Sequence, residues 1–287
     1  MKDPLVSVYI PTHNRAHLIE RAIQSVLNQT YSNIEIIVVD DASSDKTPHI
    51  LKKLSEKNQC ISFFSLGKPK GACAARNLAI SKAKGKFITG LDDDDLFLPH
   101  RIADFLDEYN ERYSFICSSR LIKTASGTMQ SLPGTSVITF QDIKNNNYVG
   151  NQIFIERSRI TKNLLYSEEM PAWQDYDLWF RLIKAYGPAL KINNHSYEVD
   201  LTASNNRISQ SSNAYKGFKL FIERHKSELT DSEIKKHTVN DLYNRHVKLS
   251  IANSLRYAHS IYAVKKLASL YILTRWPKLH QRIVDCA

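Results

Sequence analysis

The sequence predicts an α/β fold, a doubly wound and mostly parallel sheet flanked by helices, with a helical extension at the C-terminus. Three observations predict it. Ile34–Val39 is almost wholly β-branched and does not alternate apolar with polar, as in a strand buried on both faces of a parallel sheet. Short apolar runs alternate with stretches of helical periodicity through residue 112. Three polar clusters, Pro11–Arg15, Asp40-Asp41 and Asp92–Asp95, directly follow strand-like runs.

Val6–Ile10 reads as the first strand, ending at Pro11. Behind it Leu18, Ile19, Ala22, Ile23, Val26 and Leu27 recur at helical spacing, with Asn14 the expected N-cap. Ile34–Val39 is the second strand, followed by a polar helix over about 46–56, a strand at 61–65, a helix over 72–83 and a strand at 86–91. Pro99 opens a further helix with Ile102, Phe105, Leu106 and Tyr109 on one face. Beyond Tyr113 the rhythm loosens. Strands are expected at 114–118 and 152–155, a loop-bearing excursion over 124–147, a helix carrying Tyr176, Trp179 and Ile183, and a polar loop over 193–212. The expected division is a catalytic domain over 1–212, with a nucleotide-binding half (1–112) and an acceptor half (113–212), followed by the extension 213–287.

Composition narrows the class. Apolar residues make up 43% of the 287 and charged residues 24%, as in ordinary globular chains. Cys60, Cys73, Cys117 and Cys286 form no CxxC pair, so zinc and dithiol chemistry find no support, and scattered thiols suit a reducing compartment. Neither a signal peptide nor a membrane span is expected, which makes the cytoplasm the expected location. The net charge of +10 is concentrated near the end, since residues 211–287 hold 14 Lys and Arg against 6 Asp and Glu. A basic amphipathic tail interleaved with Tyr and Trp either lies on an anionic membrane surface or packs on the catalytic domain or a second subunit. No nucleic-acid motif accompanies the charge.

In a parallel sheet, ligands bind outside the carboxyl ends of the strands, so the three polar clusters share one rim. That first turn lacks the glycines of a dinucleotide fingerprint or a P-loop, so something other than glycine amides must neutralise phosphates. Asp92–Asp95 offers a means: four successive carboxylates favour either a hard cation such as Mg²⁺ or Mn²⁺, or full solvation in an acidic turn. An EF-hand does not fit, because Phe97 and Ala103 occupy its sixth and twelfth positions.

Pro11-Thr-His-Asn-Arg15, Val38–Asp45, Gly71–Asn77, Leu91–Pro99 and Gln174–Leu182 together resemble, in order, the motifs of the family 2 glycosyltransferases. The resemblance spans about 5–185 and implies the GT-A fold and transfer, with inversion, of a sugar from a nucleotide-diphospho sugar, with UDP favoured. Pro11, Thr12, Asn14, Arg15 and Gly71 would lie around the nucleotide, with Asp41 bonding the base and Asp40 beside it. Arg76 would help anchor the nucleotide or its phosphates, and Asp93 would also belong to the nucleotide-sugar site. Asp92 and Asp94 would form the D-x-D pair that holds Mn²⁺ or Mg²⁺, and Asp175 would be the catalytic base, with Asp95 and Asp177 as secondary candidates. The acceptor would be a glycan or lipid-linked hydroxyl of a bacterial surface polysaccharide. Two departures stand out. Gln174 replaces the family's usual Glu, and the stretch at Tyr197 lacks the His that often completes the metal site; His195 and Asp200 are its possible substitutes. Trp173 could stack on a sugar or pack in the core. A sugar nucleotidyltransferase and a binding module without catalysis are the competing readings.

Overall fold

The computed structural model describes residues 3–125, 127–130, 136–150, 152–202, 212–277 and 279. Four parallel strands form the N-terminal half of the sheet: β1 (Val6–Thr12), β2 (Ile34–Asp40), β3 (Ile61–Ser65) and β4 (Phe87–Gly90). Helices α1 (Ile19–Leu27), α2 (Thr47–Lys57) and α3 (Ala72–Lys82) connect them. Their order is β3-β2-β1-β4, so the winding direction reverses between β1 and β4 and opens a crevice at their carboxyl ends. β1 is buried throughout, Ser7 and Thr12 included, as suits an inner strand of a parallel sheet.

The second half of the sheet is mixed. After β5 (Leu96–Phe97) and α4 (Arg101–Asp107) come β6 (Ile116–Thr124), β7 (Gly127–Gln130), β8 (Val137–Ile138), α5 (Phe140–Asn145), β9 (Phe154–Glu156), α6 (Gln174–Tyr186) and β10 (Ala189–Asp200). β9 runs antiparallel to both β4 and β6, and β10 lies parallel to β6 and antiparallel to β5 and β8. Packed on this frame, Val8, Ile10, Ile23, Val38, Phe105 and Phe154 belong to one continuous apolar core.

Three local expectations change. Asn14 does not cap α1, which starts at Ile19. Instead Arg15 N–H donates to Thr47 Oγ1 (3.0 Å) and Ala16 N–H to Asp45 Oδ2 (3.1 Å), so the neighbouring loop satisfies the donors at the helix entry. The polar stretch from 193 is strand as far as Asp200, because its backbone finds a parallel ladder on β6; a break in register between Ile192 and Tyr197 absorbs Asn193–Ser196. Residues 203–211, the rest of that expected loop, lie outside the described residues. The excursion over 124–147 contains the β6–β7 hairpin, β8 and α5, with Ser126 and 131–135 outside the described residues.

The chain divides into two compact units. The first comprises Met1–Ile143, Asn147–Glu169 and Gln174–Asn205 and contains the sheet. The second comprises Lys144–Asn146, Met170–Trp173 and Asn206–Ala287. It is built from α7 (Ser212–His225), α8 (Asp231–Asn244), α9 (Ile251–Leu255) and α10 (Ile261–Arg275). α8 opens with a complete capping box between Thr230 and Glu233. Its partner α10 adds Ala263, Leu267 and Leu270 to a core with Val239 and Leu242.

Gly90, at the end of β4, is required by close approach. A Cβ there would sit 2.5 Å from Cζ of the Tyr9 ring and would overlap Gln152 Oε1. We expect Gly90→Ala to cost ~1–3 kcal/mol through overpacking. Urea unfolding would show a lower midpoint with an unchanged slope; an unchanged midpoint would mean that Tyr9 and Gln152 yield freely.

Candidate active site

The loops after β1 and β2 are bound to each other at the crevice. Asn14, at φ 54°, turns its Oδ1 onto the N–H of Ser44 (2.8 Å), and its own N–H donates to Ser43 Oγ (2.7 Å). Asp40 ends β2 with its carboxylate accepting from Ser43 N–H (3.2 Å) and from the Ser43 hydroxyl. Asp41 spans further: its two oxygens accept the N–H groups of Lys70 and Gly71, each at 2.7 Å. Gly71 holds φ +90°, a conformation that a side chain would strain, and caps α3. Asp41 thereby fixes the start of the helix that carries Arg76. Thr12 closes the same corner, its carbonyl accepting Asp41 N–H (2.8 Å), and Pro11 lies beside Val39 in the parallel ladder.

Arg76 organises the acidic residues. It is 6% exposed, its Nη2 donates to Asp92 Oδ1 (2.9 Å), and its Nη1 lies 3.9 Å from Asp175 Oδ1. Its guanidinium also stands over the Tyr166 ring, 5.2 Å from the centroid. Gln152 Nε2 donates to the same Asp92 oxygen (3.0 Å), and Asp92 N–H donates to Tyr197 OH (3.3 Å). On the other side Arg15 Nε lies 3.6 Å from Asp93 Oδ1. Arg21 reaches the turn from α1, donating Nη2 to the carbonyl of Asp94 (2.7 Å). Among the described residues, Arg76 Nε and Nη1 and Asp175 Oδ1 are buried and find no hydrogen-bond partner. Native proteins rarely leave such groups unmatched, and at a crevice they suit a polar ligand.

The carboxyls here are shifted towards protonation. Burial pushes Asp93 up to about 7, with Asp94 and Asp92 adding to it and Thr12 and Arg15 opposing. Burial, with the charges of Asp92 and Asp94, raises Asp95 to about 8. Asp94 is raised by burial and by Asp92. Asp175 rises to about 7 because burial and Asp92 outweigh the attraction of Arg76. Such a group of anions, held close and incompletely neutralised, is suited to receive a cation.

A divalent cation would find only a partial set of protein ligands here. Among the described residues no group of three His, Cys, Asp or Glu side chains is arranged to hold an ion. A hard cation that takes one or two protein carboxylates and completes its shell with substrate phosphate oxygens still fits Asp92 and Asp94. Asp200, a possible further ligand, is instead paired with Arg21 Nη1 (2.8 Å) and Lys123 (3.5 Å). Despite the opposing effect of burial, bonds from Thr202 and Arg21 and the charge of Lys123 hold its carboxyl well below the usual range. His195 lies where the register of β10 breaks, two residues before Tyr197.

Two other candidates have different surroundings. Asp177 is fully buried and bound by Arg181 through Nε (2.9 Å) and Nη2 (2.7 Å), so it serves α6 rather than the crevice. Trp173 packs in the second unit against Phe218, Phe221 and His237, with centroids 5.3–6.0 Å apart, so its aromatic face is used in packing. Sequence reasoning missed Tyr9, Gln152, Tyr166, Tyr197 and Arg21. Of these, Gln152 carried a faint signal, a polar residue opening an apolar strand.

Residues 7–166 match the sequence profile of the family described as Glycosyl transferase family 2. WcaA of Escherichia coli K12, named a colanic acid biosynthesis glycosyl transferase, is 32% identical over 276 residues, covering 93% of this chain and 97% of its own. TarS 1–349 of S. aureus in complex with UDP-GlcNAc aligns with a TM-score of 0.64 at 20% identity, over 94% of this chain and 81% of that one. The Pyrobaculum calidifontis mannosyltransferase PcManGT, in complex with GDP-Man and Mn²⁺, gives 0.64 at 17% identity, over 98% and 83%. The chain has the GT-A fold and belongs to glycosyltransferase family 2. It is accordingly a glycosyltransferase.

The raised carboxyls predict how stability varies with pH. Asp93, Asp95 and Asp175 each bind a proton more tightly folded than unfolded, so their contribution is full below about 4 and is lost as pH rises towards 7–8. Asp93→Asn should therefore stabilise the ligand-free protein by roughly 1–3 kcal/mol at pH 8, with the gain fading towards pH 4. Urea unfolding across that range measures it; a pH-independent difference would contradict the assignment.

Proposed function

We propose that the protein is an inverting glycosyltransferase that moves a sugar from a UDP-sugar to an acceptor hydroxyl on a glycan or glycolipid, with Asp175 as the base. The observation that carries this reading is the single buried guanidinium of Arg76 between Asp92 and Asp175. It ties the carboxylate suited to the diphosphate end of the donor to the carboxylate suited to the acceptor. Asp175, with its carboxyl near 7, can accept a proton from an attacking hydroxyl at neutral pH. Its mount is the first turn of the 13-residue helix α6, rigid enough to hold the base in line with the sugar. Attack from that side, opposite the leaving diphosphate, inverts the anomeric centre, and one carboxylate suffices.

The leaving group is served by cationic side chains. Arg76 and Arg15, beside Asp92 and Asp93, are placed to oppose the charge of a diphosphate, and their present partners keep them oriented. Mn²⁺ or Mg²⁺ on Asp94 and Asp92 would add Lewis-acid stabilisation of the leaving diphosphate. The Mn²⁺ in the PcManGT complex supports that cofactor, and the UDP-GlcNAc in the TarS complex supports the donor class. The loops that bind Asn14, Asp40 and Asp41 suit the nucleoside end. WcaA's name supports an acceptor in surface-polysaccharide assembly, which with a nucleotide-sugar donor accords with a cytoplasmic setting.

Two measurements test this. Calorimetric titration of UDP with Mn²⁺ should show binding to the wild-type protein and, within a few fold, to Asp175→Asn. UDP release from UDP-glucose or UDP-N-acetylglucosamine, with water as acceptor, should fall ~10²–10⁴-fold in Asp175→Asn. Its rate in the wild type should rise with pH to a plateau above about 7. Turnover unaffected by the substitution would remove Asp175 as base, and absence of nucleotide binding by folded protein would remove the donor assignment.

A further inference from the structure

Helix α10 is apolar on two opposite faces. One face, Ala263, Leu267 and Leu270, is buried in the core that it shares with α8. At 3.6 residues per turn, Ile261, Val264, Ala268 and Ile272 lie on the other side. That side faces solvent, with Ile261 78% and Val264 51% exposed. A helix apolar all round is normally covered all round. Here α9 extends the uncovered side with Ile251 (65% exposed) and Leu255 (70%). Together the two helices line an open groove of about 430 Å³ whose walls are almost wholly apolar.

Charge indicates what covers it. From Leu242 to Val284 the sequence has no Asp or Glu, while it has eight Lys and Arg. Lys248, Arg256, Lys265 and Arg275 are exposed among the described residues. On α10, Lys265 borders the apolar stripe, where its stem can lie along it and its charge project past it, and Arg275 stands at the C-terminal end of the stripe with Nη2 donating to the Leu249 carbonyl (2.9 Å). No helix among the described residues is long and apolar enough to cross a membrane. A second copy of the chain docked here would set basic rim against basic rim without a carboxylate to separate them. An anionic lipid surface meets both requirements, since its acyl region covers the groove and its headgroups neutralise the rim.

We propose that the α9–α10 face is a membrane-docking surface that lies in the interface of an anionic bilayer. The inference is independent of the donor and of the catalytic base. It is tested with the full chain by co-sedimentation with vesicles, comparing phosphatidylcholine alone with an equal mixture of phosphatidylcholine and phosphatidylglycerol. Binding to the mixed vesicles, little to the neutral ones, and weakening with salt are expected. Val264→Asp and Leu255→Asp, both at exposed positions, should abolish sedimentation while the circular dichroism spectrum and the urea unfolding midpoint stay unchanged. Lys265→Glu should weaken it roughly tenfold, because reversal exchanges attraction for repulsion. Equal binding to both vesicle types, or sedimentation insensitive to the two Asp substitutions, would overturn the proposal. So would a dimer, seen by light scattering, that the Asp substitutions dissociate while wild-type protein ignores vesicles; a second copy would then cover the groove.

Discussion

Arg76 sits where a buried cation would ordinarily be costly, and the arrangement of the site follows from how that cost is met. A guanidinium at this depth needs anions close by, and two carboxylates supply them, Asp92 by hydrogen bond and Asp175 at ion-pair distance. The three groups raise or restrain one another: Arg76 is held firmly charged by Asp175 and Asp92 against its burial, while Asp175 remains near neutrality because burial and Asp92 pull one way and Arg76 the other. The role proposed for Asp175, a base ionised when an acceptor arrives yet ready to take up a proton, calls for such a balance.

The sheet supplies the positions. Parallel strands end together, so β1, β2 and β4 deliver Arg15, Asp40, Asp41 and Asp92 to one crevice from remote points in the chain. The helices that follow are fixed there by side chains rather than by their own caps. Asp41 binds the start of α3, and Asp45 and Thr47 bind the entry to α1. Polar residues that look like a nucleotide fingerprint in the sequence are therefore also the residues that join neighbouring loops. Those bonds hold the turn after β1 in place without glycines.

The parallel half of the fold was legible because its strands are short apolar runs separated by helix-length segments, with a clear apolar stripe on α1; Ile61–Ser65 as a strand and α3 up to Lys82 follow from that alternation. The mixed half was less so. β10 reads as polar loop because its pairing with β6 lies far off in sequence, and no local signal in Asn193–Ser196 reports it. At the site, the acidic run and Asp175 could be found by their motifs, as could Arg76. The tyrosines and Gln152 could not. Tyr9 and Tyr166 stand 157 positions apart and meet only through tertiary packing. Asp177 and Asp175, two positions apart, differ in surroundings that spacing cannot convey: Arg181 one turn on binds the first, and Arg76 from another helix faces the second.

Asp177 has a consequence larger than its own ion pair. Arg181, which it holds, also donates to the carbonyls of Asn163 and Leu165, next to Tyr166. The hydroxyl of Tyr166 meets that of Tyr9 at 2.8 Å, Tyr9 donates to Gln152, and Gln152 donates to Asp92. Asp92 is bound to Arg76, which faces Asp175 on the helix where the path began. The linkage closes on itself like a braced frame. The two ends of the proposed reaction, leaving group and incoming hydroxyl, thus share one set of struts. The span between them is fixed before any substrate enters, so a donor and an acceptor must conform to a gauge that the protein already holds.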